Sequence, residues 1–273
     1  MRSLFLGTSS FAVPSLRVVA ARTQLAGVVT RPDRPAGRGQ RLAPSPVKAA
    51  ALELGLRVYE PERLRAFAGE IADERFDLFA LASYGRILPQ ELLDLPRLGA
   101  LNVHPSLLPK YRGASPIQSA IAAGETETGV SIMLMDAGLD TGDVVLQRRV
   151  AIEPGENYGA LHDRLAEIGA ELLGEALEFA AVGAIPRAPQ IGEASVTRPI
   201  AKDDLFVDLR WPAERVVARV RAFSPQPAAR AIVGGENLKI LSAHVAPDGT
   251  LAIDEVIAPN RGKMTFAEYE RSR

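Results

Sequence analysis

Leu4-Phe5-Leu6-Gly7-Thr8-Ser9-Ser10-Phe11 opens a segment that runs through Leu16, Val18 and Val19 to Leu25-Ala26-Gly27-Val28-Val29-Thr30. Each end is an apolar run of the length of a buried strand. Between them, Phe11 to Ala21 reads as a helix with Pro14 in its first turn, where a missing N–H breaks no helical hydrogen bond. Strand, helix, strand is therefore the reading of the first thirty residues. The alternation continues: a helix from Val47 to Leu54 that Gly55 ends, then strands at Arg57 to Tyr59, Phe76 to Ala82 and Ala100 to His104. A helix at Pro116 to Ala123, strands at Gly129 to Met135 and Val144 to Ile152, and a long helix from Tyr158 to Val182 follow. Strands alternating with helices predict an α/β fold: a Rossmann-like, mostly parallel sheet with helices on both faces.

The character changes after Gly183. Residues 184–204 carry Pro186, Pro189 and Pro199 with little periodicity and read as a linker. From 205 onward a helix, Ala213 to Phe223, precedes strand-like runs at Ala229 to Val233, Leu238 to Ala243 and Leu251 to Ile257, with a hairpin signal at Gly234-Gly235. Residues 1–183 and 205–273 are thus expected to be two domains, the second small and β-rich.

Composition bounds the function. The 273 residues are 47% hydrophobic and 24% charged, ordinary for a globular protein with a sizeable core. The absence of cysteine excludes disulfides, thiol nucleophiles and thiolate metal sites, and fits a reducing, cytoplasmic setting. The apolar run at Leu4 stops at Gly7, which argues against a secretory signal, and no segment is apolar for long enough to span a bilayer. A net charge of −1 gives no global attraction to nucleic acid, so any such contact must come from a local basic patch.

Chemistry-bearing residues gather in three segments. The turn Gly7 to Phe11 lies where an open α/β sheet meets ligands, but it lacks the G-x-G-x-x-G spacing of a dinucleotide site. In Leu101-Asn102-Val103-His104-Pro105-Ser106-Leu107-Leu108-Pro109, strand alternation sends Asn102 and His104 to one face and Val103 to the other. An amide and an imidazole side by side suit acyl transfer to an amine, which needs a proton acceptor and an oxyanion donor. A structural histidine beside a turn-forming asparagine has the same sequence. The third segment, Asp136-Ala137-Gly138-Leu139-Asp140-Thr141-Gly142, ends an apolar strand with carboxylates and glycines. It lacks the ligand spacing of a calcium loop, and reads either as a solvated turn or as a carboxylate poised on an imidazole. His162 and His244 read as structural.

Together these segments resemble the 10-formyltetrahydrofolate-dependent formyltransferases, whose pattern is an asparagine and a histidine two apart, then S-L-L-P, then a distant D-x-G-x-D-x-G. The resemblance implies that Asn102 stabilises the oxyanion, His104 manages the amine's proton, and Asp140 orients and charges His104. It also implies a folate site from Ser106, Leu107, Leu108, Pro109, Asp136 and Gly138, joined by Arg86, Ile87 and Leu88 of the Tyr84-to-Pro89 segment. The co-substrate implied is 10-formyltetrahydrofolate, without a metal.

The acceptor is read from Arg31 to Lys48, which holds five basic residues, one acidic, four prolines and two glycines. Such an arm suits phosphate contacts on RNA, although a solvated loop would read the same way. Its P-D-R-P-A-G-R-G and P-S-P-V-K resemble the branch of the family that acts on initiator methionyl-tRNA, as does Lys110 to Ile117. That likeness implies tRNA contacts from Arg34, Arg38, Arg41, Lys48, Lys110 and Arg112, in a monomer. Arg221 to Pro225 is similar to the start of that branch's C-terminal domain, an OB-like barrel that is apparently shortened here. The chain departs from the pattern at Pro105, Tyr111 and Gln226. A nucleotide-linked amino sugar is the alternative acceptor.

Overall fold

The computed structural model describes residues 1–36 and 41–273, the side chains of 34–36 and 41 excepted. The chain divides into two compact units. The first comprises Met1–Arg112, Gly129–Arg149 and Arg164–Ser195; the second comprises Gly113–Thr128, Val150–Asp163 and Val196–Arg273.

The first unit is built on a seven-stranded sheet. In chain order its strands are β1 (Arg2–Gly7), β2 (Gln24–Val29), β5 (Val58–Tyr59), β6 (Leu78–Ala82), β7 (Ala100–His104), β9 (Glu127–Leu134) and β10 (Val144–Ala151). The intervening strands β3 (Arg34–Ala36) and β4 (Arg41–Ala43) form a separate two-stranded ribbon, and β8 (Arg112–Gly113) is a short extended segment. The order across the sheet is β10-β9-β7-β6-β1-β2-β5. From β5 to β7 every pairing is parallel, and β9 runs antiparallel to β7 with His104 opposite Ser131. All five residues of β6, Leu78-Phe79-Ala80-Leu81-Ala82, are buried. A central parallel strand covered on both faces needs apolar side chains throughout rather than alternation.

The helices of this unit are α1 (Val13–Arg22), α2 (Pro46–Glu53), α3 (Leu64–Glu70), α4 (Gln90–Leu93) and the greater part of α6 (Tyr158–Ala181). Ser45 caps α2, its Oγ accepting from the Lys48 N–H at 3.0 Å, and Pro46 takes the first position, where no amide partner is needed. One face of the sheet packs Leu4, Leu6, Phe79 and Leu81 against Leu64, Phe67, Leu88 and Leu92. Against the other face lies α6, so close at Gly169 that an added Cβ would sit 2.6 Å from Val103 Cγ1. Leu165, Leu172 and Leu173 are buried along that helix, each contributing about 1.5–3 kcal/mol relative to exposure. Helix α6 thus occupies the Val103 side of β7 and leaves Asn102 and His104 on the opposite side.

The segment read as a linker is used structurally in this unit. Ala188 and Val144 exchange backbone hydrogen bonds at 2.8 and 3.0 Å, and the chain from Gln190 to Ser195 is tied to neighbouring loops.

The second unit carries α5 (Pro116–Ala122), the short β11 (Val196–Thr197), α7 (Ala213–Phe223), and an antiparallel sheet of β12 (Ala229–Val233), β13 (Glu236–Val245), β14 (Leu251–Ala258) and β15 (Gly262–Thr265), closed by α8 (Phe266–Arg271). The four sheet strands lie in chain order as a meander, with β12 and β15 at its edges. The β12–β13 turn is Gly234-Gly235, both with positive φ (58° and 86°), as a two-residue hairpin requires. Its core gathers Val216, Val220 and Phe223 of α7 with Leu238, Ile240 and Val256 of the sheet. Helix α8 starts on a capping box between Thr265 and Glu268 and inserts Tyr269, fully buried, whose OH donates to the Val233 carbonyl at 3.1 Å.

Candidate active site

Strand β7 ends in the site. His104 is buried at 4% exposure and Ser106 at 0%, while Asn102 is half-buried. Among the described residues no hydrogen bond occupies the side-chain amide of Asn102, which leaves its donors available. The imidazole of His104 lies between two neighbours. Its Nε2 is 2.9 Å from the Tyr111 carbonyl oxygen, and its Nδ1 is 3.6 Å from Oδ2 of Asp140. A carbonyl can only accept, so Nε2 carries the hydrogen and donates it. In the neutral ring, Nδ1 is therefore the nitrogen with a free lone pair. Burial pushes the imidazole below its ordinary value of 6.5, against the opposing charge of Asp140 and the hydrogen bond to Tyr111. The ring is consequently neutral at pH 7 and able to take a proton.

Both neighbours are held in the left-handed backbone region, Tyr111 at φ 58° and Asp140 at φ 51°. Such conformations persist when surrounding contacts over-determine them. The aspartate loop supplies several. Asp136 accepts from the Gly138 N–H at 3.0 Å and from the Thr141 hydroxyl at 2.7 and 2.9 Å, closing the loop on itself. Gly142 is buried where an added Cβ would overlap the Leu134 carbonyl oxygen. Asp140 is brought to His104, whereas the Asp136 carboxylate serves the loop.

The Ser106-to-Pro109 segment is braced from behind by residues that lie outside the motifs. The Ser131 hydroxyl donates to the Ser106 carbonyl at 2.6 Å and accepts from the Leu108 N–H and from Gln147 Nε2. Gln147 also donates to the Leu108 carbonyl at 3.1 Å, and the Ser106 hydroxyl closes the turn on Lys110 O at 2.6 Å. Leu107 is half-buried, Leu108 and Pro109 are buried, and the Leu108–Pro109 peptide is cis. Ser131 could have been read from register, since it faces His104 across the β7–β9 pair. Nothing local in the sequence marks Gln147.

Arg86, Ile87 and Leu88 part company. Leu88 belongs to the core, Ile87 is 85% exposed, and Arg86 donates to the Pro61 and Glu62 carbonyls at 2.8 Å each. The basic residues divide too. Lys48 forms 2.8 Å ion pairs with Asp33 and Glu60, which raise its pKa, and Arg112 donates to Gln190. Lys110 is exposed. Arg38 lies outside the described residues, as do the side chains of Arg34 and Arg41. No group of three or more potential metal-ligating side chains occurs among the described residues, nor is any helix there long and apolar enough to cross a membrane.

Comparison with known proteins bears directly on this arrangement. Residues 1–177 match the family described as formyl transferase, and residues 199–267 match the formyl transferase C-terminal domain. The chain belongs to the formyl transferase family. It is 46% identical, over 263 residues, to the methionyl-tRNA formyltransferase of Xylella fastidiosa strain M23, covering 92% of this chain and 85% of that one. Among solved structures, HypX from Aquifex aeolicus in complex with tetrahydrofolic acid aligns with a TM-score of 0.69 at 19% identity. That alignment takes in 98% of this chain and 46% of HypX, so the chain spans about half of that protein's length. The N-formyltransferase from Helicobacter canadensis, in complex with folinic acid and dTDP-3-aminofucose, aligns at 0.68 with 18% identity, covering 89% and 87% of the two chains. These two likenesses extend to the fold. As a formyl transferase the chain is a group-transfer enzyme, and its neutral imidazole beside a carboxylate and an available amide suits that chemistry.

Proposed function

We propose that this formyl transferase moves the formyl group of 10-formyltetrahydrofolate onto the α-amino group of initiator methionyl-tRNA. The observation that carries the acceptor is the 46% identity to a methionyl-tRNA formyltransferase across 85% of its length. The site supports the chemistry. The amine nitrogen attacks the formyl carbon and a new C–N bond forms. Asn102 donates to the formyl oxygen, on which negative charge develops. The amine's proton passes to Nδ1 of His104, because Nε2–H is already engaged by the Tyr111 carbonyl. Asp140, 3.6 Å away, offsets the positive charge that the ring then carries. The bond between the formyl carbon and the folate nitrogen breaks, that nitrogen takes up the proton, and His104 is neutral again.

The folate would lie along Arg86 to Leu88, Ser106 to Pro109 and the loop of Asp136 and Gly138. Ile87 at 85% exposure and Leu139 at 53% present apolar surface suited to a flat heterocycle. A division into 1–183, a connecting 184–204 and 205–273 is supported by family matches that end at 177 and resume at 199. The proposed acceptor and the cysteine-free composition support a cytoplasmic setting.

His104→Ala and Asp140→Asn test the assignment. Each should lower transfer by about a hundred- to ten-thousand-fold with the fold retained. Near wild-type turnover in both variants would end it.

A further inference from the structure

We infer that Gln190 is the positioning residue that holds Asp140 against His104, an inference that rests on the roles proposed for those two residues. Gln190 lies outside every motif, in the stretch whose composition reads as a linker. Its side chain is nevertheless fully committed. Nε2 donates to the Asp140 carbonyl at 2.9 Å and to the Gly142 carbonyl at 2.8 Å, while Oε1 accepts from Arg112 Nε at 3.0 Å and Nη2 at 2.7 Å. A guanidinium only donates and a carbonyl only accepts, so the orientation of the amide is fixed by its partners.

Those four bonds join the two sides of the imidazole. On one side is Asp140 at φ 51°, gripped through its own carbonyl and through that of Gly142 two residues on. On the other is the Tyr111-Arg112 pair, Tyr111 also left-handed, whose carbonyl fixes His104 Nε2. The same strand of chain grips that pair again: the Ser195 hydroxyl accepts from the Tyr111 N–H, and the Ser195 carbonyl accepts from the Arg112 N–H, each at 2.8 Å. The strap is anchored upstream by the Ala188–Val144 bridge. At 3.6 Å, Asp140 touches His104 by charge rather than by a hydrogen bond, so nothing in that pair itself fixes the separation. Gln190 does so from behind. Around the ring, Asp140 supplies the charge and the Tyr111 carbonyl the dipole; the Arg112 guanidinium stands on the far side of Gln190.

The full chain carrying Gln190→Ala or Gln190→Glu tests this. Gln190→Glu keeps the acceptor for Arg112 but turns oxygen toward two carbonyls, releasing the aspartate loop alone. Both variants should lose about ten- to a hundredfold in kcat with KM for methionyl-tRNA changed less than about threefold. The His104 ring, followed by NMR titration and assigned with a His104→Gln control, should titrate lower than in wild type, because its charge partner has moved. In an Asp140→Asn background, Gln190→Ala should cost less than about twofold more. A lowered melting temperature with kcat and the His104 titration unchanged would reduce Gln190 to a structural strap, and a full additional loss in the Asp140→Asn background would place its action elsewhere. Either result overturns the inference. Failure of the functional proposal looks different: wild type would not formylate methionyl-tRNA, while the NMR titration would still report on the clamp.

Discussion

At His104 the division of labour between the two ring nitrogens sets the direction of proton flow in the proposed mechanism. Nε2–H is spent on a carbonyl, so the exchangeable site is Nδ1, and burial keeps that site free of a proton to lower pH than an ordinary imidazole. In the proposed mechanism the active form is the neutral ring. Turnover should therefore rise as pH increases through the lowered imidazole value and level off above it. Asp140 works against the burial, so its removal should carry the acid limb of a kcat profile to still lower pH. The plateau should fall at the same time, because the protonated ring loses its counter-charge. A pH–rate series on Asp140→Asn checks both effects together; a limb moving toward neutrality would contradict the assignment. In the same mechanism Asn102 acts on charge that exists only as the bond forms. Asn102→Ala should lower kcat by about a hundredfold or more while the dissociation constant for the folate changes by less than about threefold, as single-turnover kinetics and direct folate titration would read.

At the scale of elements, strand β7 and the aspartate loop present these groups, and here glycine has a use that the motif alone does not explain. At Gly142 any side chain meets the Leu134 backbone, so Gly142→Ala must push the loop that carries Asp140 away from the sheet. It should destabilise the protein by about 1–3 kcal/mol and depress turnover well beyond what the lost stability explains, read by thermal melting beside an activity assay. A stable variant with wild-type turnover would show the loop to be indifferent to its anchor. Much of this scale was legible beforehand. The alternation of β7 set Asn102 and His104 on one face, and helix α7 and strand β12 fall at the expected residues, because periodicity and Gly-Gly punctuation are local signals. Helix α3 leaves a weak signal although Leu64, Phe67, Ala68 and Ile71 keep helical spacing, because it is only seven residues long and turns follow it at once. Strand β15 and helix α8 leave little signal either, Gly262-Lys263-Met264-Thr265 holding one large apolar residue before a capping box. Gln190 was illegible for a deeper reason. Its partners lie 48 to 78 residues away in sequence, and an amide's hydrogen bonds leave no pattern in composition.

For the whole molecule the question is how a nearly neutral chain would recruit a polyanion. With a net charge of −1, attraction must be local, and the 31–48 arm concentrates it. Lys48 is occupied by Asp33 and Glu60, and of the arm's other four basic residues, Arg31, Arg34, Arg38 and Arg41, the last three are the proposed phosphate contacts. Replacing these three with alanine should raise KM for methionyl-tRNA and flatten the salt dependence of kcat/KM by about one slope unit per lost contact, with folate binding unchanged. Identical salt series for the two proteins would rule the arm out. The acceptor itself is the claim on which the rest depends. Its most direct measurement offers the purified chain 10-formyltetrahydrofolate with either methionyl-tRNA or a nucleotide-linked amino sugar, and compares kcat/KM at one salt concentration. The account predicts rapid formylation of methionyl-tRNA and negligible formylation of the sugar; preferential formylation of the sugar would contradict it.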